Sequence, residues 1–124
     1  MSERKKILIV DDEEDFVGLI KDRLEASGYA VISAADVLEG LEKARTEKPD
    51  LILLDVMMPK LDGYHMCRLL KFDDAFSHIP IILLTARAQE RDQKLATGVG
   101  ANDYMTKPFH NDALLKKIVE HLDE

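Results

Sequence analysis

The chain has 124 residues, of which 46% are apolar and 33% charged, with a net charge of −7 and a single cysteine, Cys67. That composition suits one globular domain and excludes a disordered or fibrous chain. It also argues against direct nucleic-acid binding, which needs clustered Lys and Arg, against attraction to an anionic membrane, and against an internal disulfide or thiolate zinc site.

The first residues, MSERKK, are charged, and the apolar run after them is only four residues long. That is too short for the core of a signal peptide, and no apolar segment approaches a membrane span, so a cytoplasmic protein is expected. ILIV (7–10) reads as a strand. The segment 14–28 carries Phe16, Val17, Ile20 and Leu24 at helical spacing, with Gly28 as a C-cap. YAVISA (29–34) reads as a second strand. In the next segment, 36–50, Asp36 followed by Glu39 approximates a capping box. Val37, Leu38, Leu41 and Ala44 make its apolar face, and Pro49 blocks continuation.

LILL (51–54) is the third strand, and 63–72 is helical with Met66, Leu69 and Leu70 on one side. Residues 79–86 form the fourth strand, with Pro80 near its start, where a missing donor is tolerated. A polar, weakly amphipathic helix over 87–98 comes next, with Gly98 as its C-cap. A short strand at 103–106 and a last helix at 111–122, with Leu114, Leu115, Ile118, Val119 and Leu122 inward, complete the chain. The alternation is (βα)5. It predicts an α/β, doubly wound, five-stranded parallel sheet of flavodoxin-like order 2-1-3-4-5, with helices on both faces. The span 1–124 is read as a single domain with no output domain attached.

Polar residues stand at the carboxyl ends of four strands. Asp11 and Asp12 come after the first, Asp55 after the third and Lys107 after the fifth, while Thr85 ends the fourth. Ligands of open parallel sheets bind at the carboxyl ends of the strands, so these groups share one edge. An aspartate after a strand is often only a turn former or a helix N-cap. Here the joint pattern argues otherwise. Three converging carboxylates repel one another, and a divalent cation with all-oxygen ligands, Mg2+ or Mn2+, relieves the conflict. Together with a lysine and a hydroxyl it would make a clamp for a phosphoryl group, with central Asp55 as the nucleophile.

In these motifs the sequence resembles the receiver domain of two-component response regulators. ILIVDDEE matches the acidic-pair strand, LILLDVMMPKLDG the acceptor strand and its loop, PIILLTA the strand with the switch hydroxyl, and GANDYMTKPF the lysine–proline segment. The likeness runs from about residue 5 to residue 122. It implies that Asp55 accepts phosphate from a sensor histidine kinase, and that Asp12 ligates Mg2+ directly while Asp11 acts mainly through water. It further implies that the Met57 backbone carbonyl completes the protein ligands and that Lys107, joined to Pro108 by a cis peptide, contacts the phosphoryl oxygens. Thr85 and Tyr104 would be the switch pair, with Ala86 as the small residue beside the phosphate. Met57 and Arg87 would flank the attacking water and allow only modest self-hydrolysis.

By the same resemblance, the face built from the 87–98 helix, the fifth strand and the last helix is remodelled for a downstream effector, an output domain or a phosphorylation-dependent homodimer. The protein is then a switch that assists its own phosphorylation and dephosphorylation, not an enzyme acting on a separate substrate. A second role is relay of the group to a histidine phosphotransfer protein.

Two readings from other classes fit less well. An aspartyl-phosphate phosphatase needs a second acid two residues after the nucleophile, where Met57 stands, and a cap insertion. A flavin or nucleotide binder needs a Ser/Thr/Gly-rich phosphate loop, where DDEED stands, and GVG (98–100) is no nucleotide fingerprint. His65, His78, His110 and His121 lack metal spacing and read as surface groups. The lysine pairs at 5–6 and 116–117 read as solvated charges, and Cys67 as a small helix residue.

Overall fold

The apolar runs form β1 (Lys6–Val10), β2 (Ala30–Ala34), β3 (Leu51–Asp55), β4 (Ile81–Thr85) and β5 (Asp103–Thr106), all parallel, in the order β2-β1-β3-β4-β5. This is a computed structural model that describes residues 4–56, 63–85, 98–107 and 109–122. Four helices lie among those residues: α1 (Glu14–Ala26), α2 (Val37–Glu47), α3 (Gly63–Lys71) and α4 (Asn111–Leu122). The expected 87–98 helix falls outside the described residues except at Gly98. The left-handed residue after it is Gly100, at φ +85°, so Gly98 is not the C-cap glycine.

Every residue of β3 and β4 is buried, as continuous apolar runs require when helices cover both faces of a sheet. Alternation divides the core. Leu8, Val10, Ile52, Leu54, Ile81 and Leu83 face α2 and α3. Ile7, Ile9, Leu51, Leu53, Ile82 and Leu84 face α1 and α4.

Local chemistry sets the ends of the elements. After α1, Gly28 sits at φ +98°. Its N–H donates to the Glu25 carbonyl, and the Tyr29 N–H donates to that of Leu24, which is a Schellman termination. Because the Tyr29 N–H is committed there, β2 begins at Ala30 rather than at 29. At the start of α2 the Asp36 carboxylate accepts from the Glu39 N–H at 2.8 Å, while Glu39 reaches back to the Ala35 N–H at 2.7 Å. The capping box is thus present with its return bond one residue earlier. The strand ladder of β4 starts at Ile81 instead of 79, although the Pro80 carbonyl already accepts from the Ile52 N–H.

Three inward assignments are corrected. Leu38 is 71% exposed, and Gly40 lies buried on that helix instead. Leu69 is 53% exposed, and α3 buries Gly63, Met66, Cys67 and Leu70. Val119 is 43% exposed, leaving Leu114 and Ile118 as the buried residues of α4. In each case the outward residue lies one position, about 100° of helical turn, from an inward neighbour.

Candidate functional site

Three strand-end residues are fixed by hydrogen bonds that carry the sheet beyond or up to its last ladder residue. The Asp11 N–H donates to the Ala34 carbonyl, that of Val56 to Leu84, and that of Lys107 to Thr85 at 2.6 Å. Asp11 therefore keeps the parity of Ile7 and Ile9, Asp55 that of Leu51 and Leu53, and Lys107 that of Met105. All three fall on the α1–α4 side of the sheet, and Thr85, in line with Ile81 and Leu83, falls on the other.

Asp11, Asp55 and Thr85 are the buried polar residues of the described core, at 2%, 4% and 3% exposure, whereas Asp12 is exposed. One carboxylate oxygen from each of Asp11, Asp12 and Asp55 lies within 4.8 Å of the others. The Asp11 carboxylate is held at both ends. Its Oδ1 accepts from the Glu13 N–H at 3.0 Å, and its Oδ2 from Lys107 Nζ at 2.7 Å. Lys107 Nζ is also 3.4 Å from Glu13 Oε1 and 4.0 Å from Asp55 Oδ1.

Burial works against the Lys107 charge. The hydrogen bond to Asp11 and the negative charges of Asp11, Asp55 and Glu13 outweigh it, so the ammonium is held above its ordinary lysine value. The formal charge of the three aspartates less one lysine is −2, which one divalent cation would cancel. Hard oxygen donors at this spacing, two buried and one open to solvent, fit Mg2+ or Mn2+.

Several site residues were not singled out by their sequence position. Glu13 pairs with Lys107. Phe16 places its ring 4.1 Å from Lys107 Nζ and meets Phe109 edge-on, with centroids 5.9 Å apart. Gly63 opens α3 directly against the end of β3, where a Cβ would meet the Asp55 carbonyl oxygen at 2.3 Å. The sequence signal for Gly63 was a glycine in LDG, which reads equally well as a turn.

Tyr104 is half-buried on the same side as Thr85, two ladder positions away, with Leu83↔Tyr104 and Thr85↔Thr106 in register. Met57, Ala86, Arg87 and Pro108 lie outside the described residues. Two readings of surface charge are corrected. Lys117 binds both oxygens of Asp103 at 3.0 Å, and the His121 ring nitrogen sits 3.1 Å from Asp103 Oδ2. Lys6 pairs with Glu47 at 3.2 Å on the exposed surface, in keeping with a solvated charge. His65, His78 and His110 are exposed. Among the described residues no helix is long and apolar enough to cross a membrane.

Comparison with known proteins places the chain by family and fold. Residues 7–119 match the family model of the response regulator receiver domain. The chain is 56% identical over 105 residues to the alkaline phosphatase synthesis transcriptional regulatory protein PhoP of Bacillus subtilis, covering 85% of this chain and 43% of that protein. The solved structure of Vibrio cholerae chemotaxis protein CheY4 superposes with a TM-score of 0.92 at 31% identity, over 97% of this chain and 100% of the other. A putative response regulator from Chloroflexus aurantiacus gives 0.93 at 30% identity, over 98% and 100%. The chain spans about half the length, or less, of the curated relatives it matches.

Proposed function

Because the chain belongs to the response regulator receiver domain family, we propose that it is a phosphoryl-accepting switch with Asp55 as the acceptor. The observation that carries this reading is the arrangement around Asp55. A buried carboxylate stands at a rigid strand end with two further carboxylates on one side and the Lys107 ammonium 4.0 Å away.

Asp11, Asp12 and Asp55 would hold Mg2+ or Mn2+, with the Met57 carbonyl as the family's remaining protein ligand. When bound, the cation supplies positive charge against the phosphoryl oxygens. The chain's own residues do the rest. An Asp55 carboxylate oxygen attacks the phosphorus of a kinase phosphohistidine. The new P–O bond forms as the P–N bond breaks, and the imidazole leaves with the electron pair and takes a proton from water. Lys107 donates to the transferred group, offsetting its negative charge, and β3 holds Asp55 in line without reorganisation.

Phosphorylation adds about −1.5 to −2 charge and strong acceptors at the sheet edge. The Thr85 hydroxyl turns to donate to them, and Tyr104, on the same side of the sheet, moves into the space released. That shift biases the surface that includes β5 and α4 between two states and is read by a partner or an output region. The curated relatives are named as transcriptional regulators, so a transcriptional output is the favoured one. On this reading the domain is a switch, with no separate substrate of its own.

Intact-mass analysis after incubation with Mg2+ and acetyl phosphate tests the assignment. The wild type should gain one phosphoryl group and Asp55→Asn none. An undiminished adduct in that variant would overturn it.

A further inference from the structure

Resting on the phosphoacceptor reading, we propose that Phe16 is a positioning residue for Lys107: its ring face holds the ammonium where it can serve Asp55. A lysine head group is a compact charge on a flexible four-carbon stem, so it has to be placed by its surroundings. Besides Asp55, the ammonium has three close neighbours among the described residues, two of them carboxylates, Asp11 at 2.7 Å and Glu13 at 3.4 Å. The third is the face of Phe16, 4.1 Å from Nζ to the ring centroid.

An aromatic face attracts a cation through its quadrupole without accepting one of its three N–H groups in the way a carboxylate does. One N–H is thereby left for the group on Asp55, whose Oδ1 is 4.0 Å from Nζ. The anchor also involves no carboxylate oxygen, so it does not compete with Asp11 as a metal ligand. A carboxylate in place of the ring would hold the lysine more tightly and draw it away from the phosphoryl oxygens.

The ring is itself fixed. Phe16 sits in the first turn of α1, directly after the acidic stretch that contributes Asp11, Asp12 and Glu13. Phe109 braces it edge-to-face from the segment that carries Lys107, with an interplanar angle of 81°. One aromatic contact therefore ties the start of α1 to the end of β5, across the site.

The test pairs a spectroscopic reading with a rate. In the wild type, the Lys107 Cε protons, on the carbon bonded to the ring-facing Nζ, should show upfield ring-current shifts by NMR. In Phe16→Leu, which keeps apolar bulk, those shifts should vanish, and the initial rate of phosphorylation by acetyl phosphate with Mg2+ should fall about 3- to 30-fold. Phe16→Trp should restore both. Phe109→Leu, which removes only the brace, should reduce both partially, and it serves if Phe16→Leu does not fold.

Wild-type Lys107 protons without the shift would overturn the contact. A lost shift with an unchanged rate, or a Trp variant as slow as the Leu variant, would overturn the positioning role. A wild type that takes up no phosphoryl group would overturn both readings, and it is told apart by a zero rate in every protein.

Discussion

At Gly63 the difference between a hydrogen and a methyl group bears directly on the acceptor. A Cβ there would lie 2.3 Å from the Asp55 carbonyl oxygen and 2.9 Å from both the Asp55 carbonyl carbon and the Val56 Cα, all backbone atoms that cannot rotate aside. Gly63→Ala should therefore cost about 1–3 kcal/mol in urea unfolding, and it should slow phosphorylation because the strand that yields is the one carrying Asp55. A stability within experimental error of wild type would show that α3 can retreat at no cost. Cys67 is a residue of the opposite kind. Burial pushes its thiol up to about 12 against a lowering influence from Lys71, so the thiolate is scarce at neutral pH. A thiol reagent at pH 8 should label unfolded but not native protein. Asp55 is legible in the sequence because charge at the end of an apolar run is conspicuous. The role of Gly63 is not, because a residue without a side chain leaves no chemical trace of what it must not touch.

Between elements, two polar clamps fasten β5. Lys71 at the end of α3 donates to the Ser77 and Ile79 carbonyls at 2.9 and 3.0 Å and to Asn102 Oδ1 at 2.9 Å, while the same oxygen accepts from the Ile81 N–H. Lys71→Met should cost about 2 kcal/mol, since it leaves several acceptors partly unsatisfied. On the other side Asp103 joins β5 to α4. Burial would raise its carboxyl, but hydrogen bonds from His121, Lys117 and the Tyr104 N–H, with the Lys117 charge, hold it below the ordinary aspartate value. A carboxyl depressed in the folded state stabilises above its unfolded pKa of about 3.9 and loses that contribution as pH falls through the lower folded value. Asp103→Asn should thus be less stable than wild type by about 1 kcal/mol at pH 7. Unfolding measured at a series of pH values should show the gap closing as the pH drops below about 4. The ranges of β5 and α4 were legible from apolar period and turn residues. These clamps were not, because Lys117 and His121 read as surface charge until the helix is docked on the strand. The helix faces show the same limit: Leu38, Leu69 and Val119 are apolar yet outward, since each lies about 100° round the helix from a buried neighbour, beyond the edge of the stripe that meets the core.

For the molecule as a whole, the sheet brings charges of one sign together, and among the described residues Lys107 is the cation set against them. Binding a divalent cation should then stabilise the native state. At ten times its dissociation constant the gain is about 1.4 kcal/mol, or roughly 5 °C in the thermal midpoint of a domain this size. Mg2+ should raise Tm by that order, EDTA should reverse it, and Asp12→Ala should remove most of it. A Tm indifferent to Mg2+ would contradict the metal assignment. The fold itself was largely readable, because five apolar runs separated by helical periods admit few topologies and right-handed crossovers leave fewer still. The convergence of Asp11, Asp12, Asp55 and Lys107 came with that order. The contacts of Glu13 and Phe16 with Lys107 did not, since they depend on how the chain turns after β1 and β5.

The Lys107–Asp11 bond spans 96 residues of sequence. On the ribosome, all three aspartates emerge well before the lysine that balances them. From Asp55 to Lys107 a nascent chain therefore carries the proposed acceptor without the cation that completes its site. On the proposed reading, a chain cut short before β5 would hold Asp55 without the lysine that completes its centre, and such a truncated product should not act as a working signal.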